Sequence, residues 1–147
     1  MTPRRSKLTA VIQHRQHLEE QLRDELHGAK HDLELEQNQL HRLNQRLENI
    51  LDEMDREQAS GTNTEQMDLY YRFIQRQSQS IQSLSSAVRR LTEQCDAKTH
   101  RLVETSKEKK LLEHVDENRG KAQSKLQAKA EQESLDEVAG NRRRRAS

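Results

Sequence analysis

Apolar residues recur at steps of three and four along two long stretches of the chain, separated by one short polar break. Helices that supercoil around each other show this spacing, because it keeps a narrow stripe of side chains facing the partner helix. The first stripe contains Val11, Arg15, Leu18, Leu22, Leu26, Ala29, Leu33, Glu36, Leu40, Leu43, Leu47, Ile50 and Met54. The second contains Met67, Tyr70, Ile74, Gln77, Ile81, Leu84, Val88, Leu91, Cys95, Lys98, Leu102, Thr105, Lys109 and Leu112. The pattern predicts two long helices that pair along these stripes.

The polar break contains a glycine, which allows the chain to turn back on itself. We therefore expect an all-α fold, a long antiparallel two-helix coiled-coil hairpin with a longer, overhanging second helix. A single domain would cover residues 1–147, with helix 1 at about 3–58 and the turn at 59–64. Helix 2 would follow at about 65–139, and a disordered basic tail at 140–147.

The sequence contains recognisable signals for the N-termini of both helices. Pro3 suits the first position of helix 1, and Thr2 suits its cap. Before helix 2, Thr62 and Glu65 match a capping box, in which each side chain bonds the backbone of the other. We therefore expect Thr62 to cap helix 2.

A short turn selects one register of pairing, in which Leu40 faces Ile81 and Leu26 faces Cys95. Helix 1 ends before helix 2 does, so residues from about Val115 onward have no partner within the chain. An isolated helix with few apolar residues is marginal in water, so this overhang should fray when free and order on a partner. Its apolar points are Leu126, Ala130, Leu135 and Val138.

The composition favours a coiled coil with a paired apolar stripe and argues against a globular core. Of the 147 residues only 30% are hydrophobic and 35% are charged, whereas a globular domain is roughly half apolar. The formal net charge of +1 gives no sign of a polyanion-binding protein. One cysteine excludes an internal disulfide framework, and neither a signal peptide nor a membrane span is evident. We expect a cytoplasmic, non-enzymatic protein that binds or spaces other proteins.

Candidate chemistry along the chain is sparse. His27 and His31 are one helical turn apart, but no third and fourth ligands converge on them, so we expect surface histidines and no metal site. Cys95 falls on the stripe, where a small buried thiol is expected. The run 142–145 is four arginines, for which we expect solvation, although it could contact nucleic acid or an anionic membrane. Because the run trails off the far end of a hairpin, the nucleic-acid interpretation is weak, and we expect no nucleic-acid partner. We expect no catalytic residue and no cofactor.

All three aromatic residues lie within one turn of helix 2, just after the break. Tyr70 belongs to the stripe, and Tyr71 follows it. Phe73 precedes Ile74 of the stripe, so its side chain should lie at the flank of the seam and be partly exposed. Exposed aromatics are enriched in binding hot spots, so core packing and partner docking are both open for Phe73.

Three short segments in order resemble a known family. Residues 69–75, Leu-Tyr-Tyr-Arg-Phe-Ile-Gln, resemble the N-Y-Q-Q-F-I-Q type segment of the flagellar export protein FliJ. Residues 107–110, Lys-Glu-Lys-Lys, match that family's R-E-K-K run. Residues 133–137, Glu-Ser-Leu-Asp-Glu, resemble its closing acidic segment. The resemblance covers about residues 59–140, and over helix 1 it rests on the long-helix pattern alone.

The resemblance implies a component of the flagellar type III export apparatus, similar to the central stalk of rotary ATPases. Such proteins promote assembly of the export ATPase hexamer, dock on the cytoplasmic domain of the export gate protein FlhA and handle export chaperones. They would therefore associate peripherally with the cytoplasmic side of the cell membrane.

The resemblance also suggests which residues bind partners. Gate docking uses a helix face that starts at Phe73 here; the next positions, Gln77 and Ser80, are polar, and Leu84 is apolar. An unpaired helix end suits a stalk tip that enters a ring, which points to Leu126, Leu135 and Val138 as ring-binding residues.

Three other readings remain open. The chain resembles injectisome stalk proteins in architecture, and a generic structural coiled-coil scaffold would show the same stripes. A nucleic-acid-binding hairpin that uses the arginine run is the third alternative.

Overall fold

A computed structural model describes residues 3–146 of the chain, with side chains from residue 7 onward. Helix α1 spans Pro3–Ser60 and helix α2 spans Thr64–Ala146, and the described residues contain no strand. The two helices pack against each other as a helical hairpin, which confirms the predicted fold class. Helix α1 begins at Pro3 as expected, whereas the proposed cap Thr2 lies outside the described residues.

The turn between the helices is built from residues 61–63. Gly61 has a φ of 82°, a left-handed conformation that glycine adopts without steric cost, and its N–H donates to the carbonyl of Gln58 at 3.3 Å. On the other side, the side-chain oxygen of Asn63 accepts from the backbone N–H of Gln66 at 2.8 Å. Asn63 is therefore the cap of α2.

The capping prediction was wrong by one residue. The hydroxyl of Thr62 does not bond the helix backbone but donates to the side-chain oxygen of Gln66 at 2.8 Å. The expected partner, Glu65, gives way to Gln66, since helix α2 begins at Thr64 and the third helical position is then residue 66. Asparagine caps helices at least as well as threonine, which explains the shift.

Replacing the cap should destabilise the hairpin measurably. We expect Asn63→Ala to lower the free energy of unfolding by about 1 kcal/mol, because one backbone N–H of the first turn loses its acceptor. Chemical denaturation followed by circular dichroism measures the change. Asn49→Ala is the matched control, because Asn49 is an exposed residue inside α1, where alanine is the better helix former. Equal destabilisation by both changes would contradict the assignment of Asn63 as the cap.

Contacts divide the hairpin into two units, and the unit Gln21–Leu102 carries the apolar seam. Leu22, Leu26 and Cys95 are its buried apolar residues, so Cys95 is the buried seam thiol that was predicted. Gln77 is buried too, and its amide donates to the backbone carbonyl of Leu43 at 3.2 Å. This contact belongs to the predicted register, in which Leu40 faces Ile81.

The other unit, residues 1–20 and 103–147, buries polar groups between its two helices beside half-buried apolar residues such as Leu18 and Leu112. Glu19 and Thr105 are buried between them. A carboxylate oxygen of Glu19 lies 3.1 Å from the ammonium of Lys109, with only 5% and 19% of these side chains exposed. Arg15 pairs with Glu108 at 2.6 Å. The seam of this unit therefore includes an ionic layer, defined here as Arg15, Glu19, Glu108 and Lys109.

The first stripe is displaced at its beginning. Val11 is exposed, whereas Ile12 and Leu8 are half-buried. The steps from Leu8 through Ile12 and Arg15 to Glu19 are four, three and four, and they lead directly into the ionic layer. The sequence pattern chose Val11 because its neighbour Ile12 is equally apolar.

Helix α2 continues well past the packed region. Asp116 and Gly120 are half-buried, and every residue from 121 to 139 is exposed. We call residues 121–146 the extension of α2. The structure places residues 140–146 inside the helix, where the sequence predicted a disordered tail. Arginine is a good helix former, and cations at a helix C-terminus interact favourably with the helix dipole, so the four arginines favour continuation through Gly140.

Candidate functional site

Tyr70 and Phe73, which follow the turn, contact α1 in different ways. Tyr70 is half-buried on the seam, as its stripe position predicted. Partial burial raises the pKa of the Tyr70 hydroxyl above its ordinary value, and the negative charges of Glu53 and Glu57 raise that pKa further. The phenol thus lies close to two carboxylates of the opposite helix.

Phe73 lies at the flank of the seam, where the sequence placed it. Its side chain is half-buried, and the guanidinium carbon of Arg46 lies 5.7 Å from the centre of its ring. This is a cation–π contact across the two helices. Phe73 thus has one side packed by α1 and still presents part of its ring to solvent.

A shallow groove joins Phe73 to residues on both sides of the hairpin. Two large apolar side chains near it, Leu69 and Tyr71, are exposed. Neither was predicted to be a binding residue, although both are exposed apolar residues off the stripe. The groove is lined by Ile50, Glu53, Glu57, Gln66, Leu69, Tyr70 and Phe73. We call this surface the aromatic groove.

Leu84, the other residue predicted on the gate-docking face, lies elsewhere. It is half-buried in the seam and lines a separate, open groove with Arg76, Gln79, Ser80 and Ser83. Between Phe73 and Leu84 the side chain of Gln77 is buried and committed to the carbonyl of Leu43. The structure therefore does not bring Phe73 and Leu84 into one groove.

The three predicted ring-binding residues lie on the extension and are all open to solvent. Leu126 is 69% exposed, Leu135 65% and Val138 49%. Because each helical residue rotates by about 100°, Leu135 lies on the opposite side of the helix from Leu126, while Val138 is on the side of Leu135. Two further exposed apolar residues that the sequence analysis left out, Leu111 and Val115, precede the extension. The apolar residues are thus spread around the helix.

Among the described residues, no group of three or more His, Cys, Asp or Glu side chains is arranged to hold a metal ion. Within the same residues, no helix has a stretch apolar enough to cross a membrane. The two candidate surfaces in the described part of the chain are the aromatic groove and the extension.

Comparison with known proteins gives one match. The family model described as flagellar FliJ protein matches residues 4–147. Neither the comparison with curated proteins nor the comparison with solved structures finds a match.

Proposed function

The chain belongs to the FliJ family, and from that membership we propose a stalk-like coiled coil that promotes assembly of the export ATPase hexamer. It would also dock on the cytoplasmic domain of the export gate protein FlhA, assist export chaperones and associate peripherally with the cytoplasmic side of the membrane. Membership itself makes the chain a component of flagellar protein export and disfavours a generic scaffold.

The observation that carries the proposal is the extension of α2. A run of 19 consecutive exposed helical residues, 121–139, is unusual, since helices in proteins are stabilised mainly by burying one face. Residues 121–139 bury none, and they carry the exposed Leu126, Leu135 and Val138. Apolar residues that are spread around a helix can be covered only from several sides. A ring of subunits that encloses the helix would cover them in this way, and this supports the proposal.

The test uses the full chain with the purified export ATPase. We expect the chain to raise ATP hydrolysis and to shift the ATPase towards hexamers in analytical ultracentrifugation. A pulldown from an extract of motile cells should bring down the export ATPase and the gate protein together. An ATPase whose rate and hexamer fraction do not respond to a stoichiometric amount of the chain would reject the proposal.

The aromatic groove is the proposed gate-docking surface. Its support is the partly exposed ring of Phe73 beside the exposed Leu69, an apolar surface next to a cluster of carboxylates. Aromatic residues that present part of their area and are held in place by a neighbour, here by Arg46, lose little freedom when a partner covers them.

Phe73→Ala should weaken gate binding far more than it affects folding. A hot-spot aromatic contributes about 2 kcal/mol or more, so Kd for the FlhA cytoplasmic domain should rise by about thirtyfold. Isothermal titration calorimetry measures it, and thermal unfolding should show a small shift. Leu35→Ala is the matched control, since Leu35 is exposed on α1 and lies outside both docking surfaces. A collapse of the thermal midpoint would show that Phe73 is a core residue instead.

A further inference from the structure

The charges at the end of α2 are sorted into blocks of one sign. Residues 113–117 contain three acidic residues and no lysine or arginine, and residues 119–129 contain four basic residues and no acidic one. Residues 131–137 contain four acidic and no basic residues, and residues 142–145 are all arginine. Most of these charges lie on the extension. The members of the blocks are Glu113, Asp116 and Glu117; Arg119, Lys121, Lys125 and Lys129; Glu131, Glu133, Asp136 and Glu137; and Arg142 to Arg145.

Some of these charges have partners within the chain, among them Arg143 and Arg144. Lys121 lies 3.3 Å from Glu117, at the boundary between two blocks, and both side chains are largely exposed. Asp136 accepts a hydrogen bond from Gln132 at 3.2 Å. In the described part of the chain, Lys125, Lys129 and Glu133 form no ion pair, and all three are exposed. The blocks therefore present strong, alternating potentials to the surroundings.

When a second copy of the helix runs in the opposite direction, each charged block of one copy lies beside a block of the opposite sign in the other. If two copies of the helix run antiparallel and cross at Ala130, residues 119–129 of each lie beside residues 131–141 of the other, basic against acidic. The same alignment sets residues 113–117 beside residues 143–147, acidic against arginine. A parallel, in-register pair would place like charges together, which is destabilising. The pattern of charges thus favours a second copy of the chain as the partner and an antiparallel orientation of the two helices.

We propose that the extension is a self-association surface, through which two copies of the chain pair antiparallel about Ala130. Leu126 and Leu135 lie on opposite sides of the helix, so one partner helix covers only one of them and the charged blocks carry the pairing. Such a contact is two-fold symmetric and closed, which limits it to a dimer. It goes beyond the proposed export role and opposes it, because the dimer covers residues that the ring would bind.

The dimer should respond strongly to salt. Sedimentation equilibrium of the full chain at about 0.01 M salt, where the Debye length is about 30 Å, should show dimers. At about 1 M salt the Debye length is about 3 Å, and we expect monomers. A chain that is monomeric at both salt concentrations, or that forms species larger than a dimer, would overturn the proposal.

Charge reversal tests the complementarity of the blocks. Lys121→Glu with Lys125→Glu and Lys129→Glu should weaken the dimer by about tenfold or more at low salt, since each block then faces its own sign. Glu131→Lys with Glu133→Lys and Glu137→Lys should weaken it similarly. A chain with all six changes has exchanged blocks and should regain dimerisation. Failure of this sixfold variant to regain it would contradict the pairing.

The control for net charge is Glu34→Lys with Glu48→Lys and Glu93→Lys, three exposed residues outside the extension. It changes the net charge as much as the second triple variant does, yet it should leave the dimer intact. Equal loss of the dimer in this control would mean that overall charge drives association, and the proposal would fail.

Direction is tested with a spin label at Asn118→Cys in a Cys95→Ala background. In the antiparallel pair, Asn118 of one copy lies level with Arg142 of the other, so the two labels are separated by 24 residues, or about 36 Å, along the axis. A distance of about 10 Å between the labels would indicate a parallel pair and would overturn the antiparallel arrangement.

Discussion

A chain that ends at Gly120 is expected to keep its hairpin and to lose its stimulation of the export ATPase completely. Gly120 is the last half-buried residue of α2 before the extension. The side chains of residues 121–139, which the truncation removes, are all exposed. The contacts between the helices remain, including the ionic layer, and the thermal midpoint should change little. The ATPase, however, loses the part of the helix that we propose enters its ring. ATP hydrolysis measured against chain concentration shows the effect directly.

Two shorter changes show which part of the extension acts. A chain that ends at Ala139 lacks the four arginines but keeps Leu126, Leu135 and Val138, and we expect it to retain most of the stimulation. Replacing those three apolar residues with serine in the full chain should remove most of it, because their exposed area is what a ring can bury. Full stimulation by the chain that ends at Gly120 would move the functional surface to the paired helices.

Lys109→Met should destabilise the hairpin by about 3 kcal/mol. The change removes the cation that lies 3.1 Å from the Glu19 carboxylate, and that carboxylate is almost completely buried. Breaking a buried ion pair by removing one partner costs about 3–5 kcal/mol. We take the lower end of this range, because Lys109 is itself one-fifth exposed and Glu19 keeps a further interaction. Urea denaturation measures the free energy of unfolding.

A second lysine provides the control for the ionic layer. Lys107 lies 3.8 Å from Glu104 on the surface of the same helix, so Lys107→Met should change stability by less than about 0.5 kcal/mol. Combining Lys109→Met with Glu19→Leu should restore stability, because an apolar pair of similar volume has no charge to desolvate. If the double variant is less stable than Lys109→Met alone, the cost does not come from the uncompensated carboxylate.

The fold was predictable because one physical pattern controls most of it. The stripes from Leu18 to Met54 and from Met67 to Leu112 are half-buried or buried almost throughout, and a single break fixed the turn. The cap was missed because Thr62 and Asn63 are both good caps, so only the backbone geometry decides between them. The predicted end of α2 was wrong because Gly140 does not adopt a left-handed conformation, which the sequence cannot reveal.

The candidate surfaces were predictable only in part. The flank position of Phe73 follows from its place beside Ile74, but its contact with Arg46 depends on how the helices align side by side. Leu69 and Tyr71 are exposed apolar residues off the stripe, a feature that can indicate a binding surface. They were not predicted as binding residues because the prediction followed the family motif, which points to Phe73. The pairing of Glu19 with Lys109 was not foreseen, because Glu19 lies off the stripe and looks like an ordinary surface residue.

The three-residue turn at Gly61 also sets the order in which the hairpin assembles. Gln77 and Leu43 are 34 residues apart in the chain, and pairs farther from the turn, such as Arg15 with Glu108, must close much longer loops. Once the turn has formed, each new layer closes only a few additional residues, so folding proceeds as a zipper that starts at the turn. On the ribosome, α1 emerges first and remains unpaired until α2 follows. The residues of α1 that lie farthest from the turn are therefore the last to find their partners.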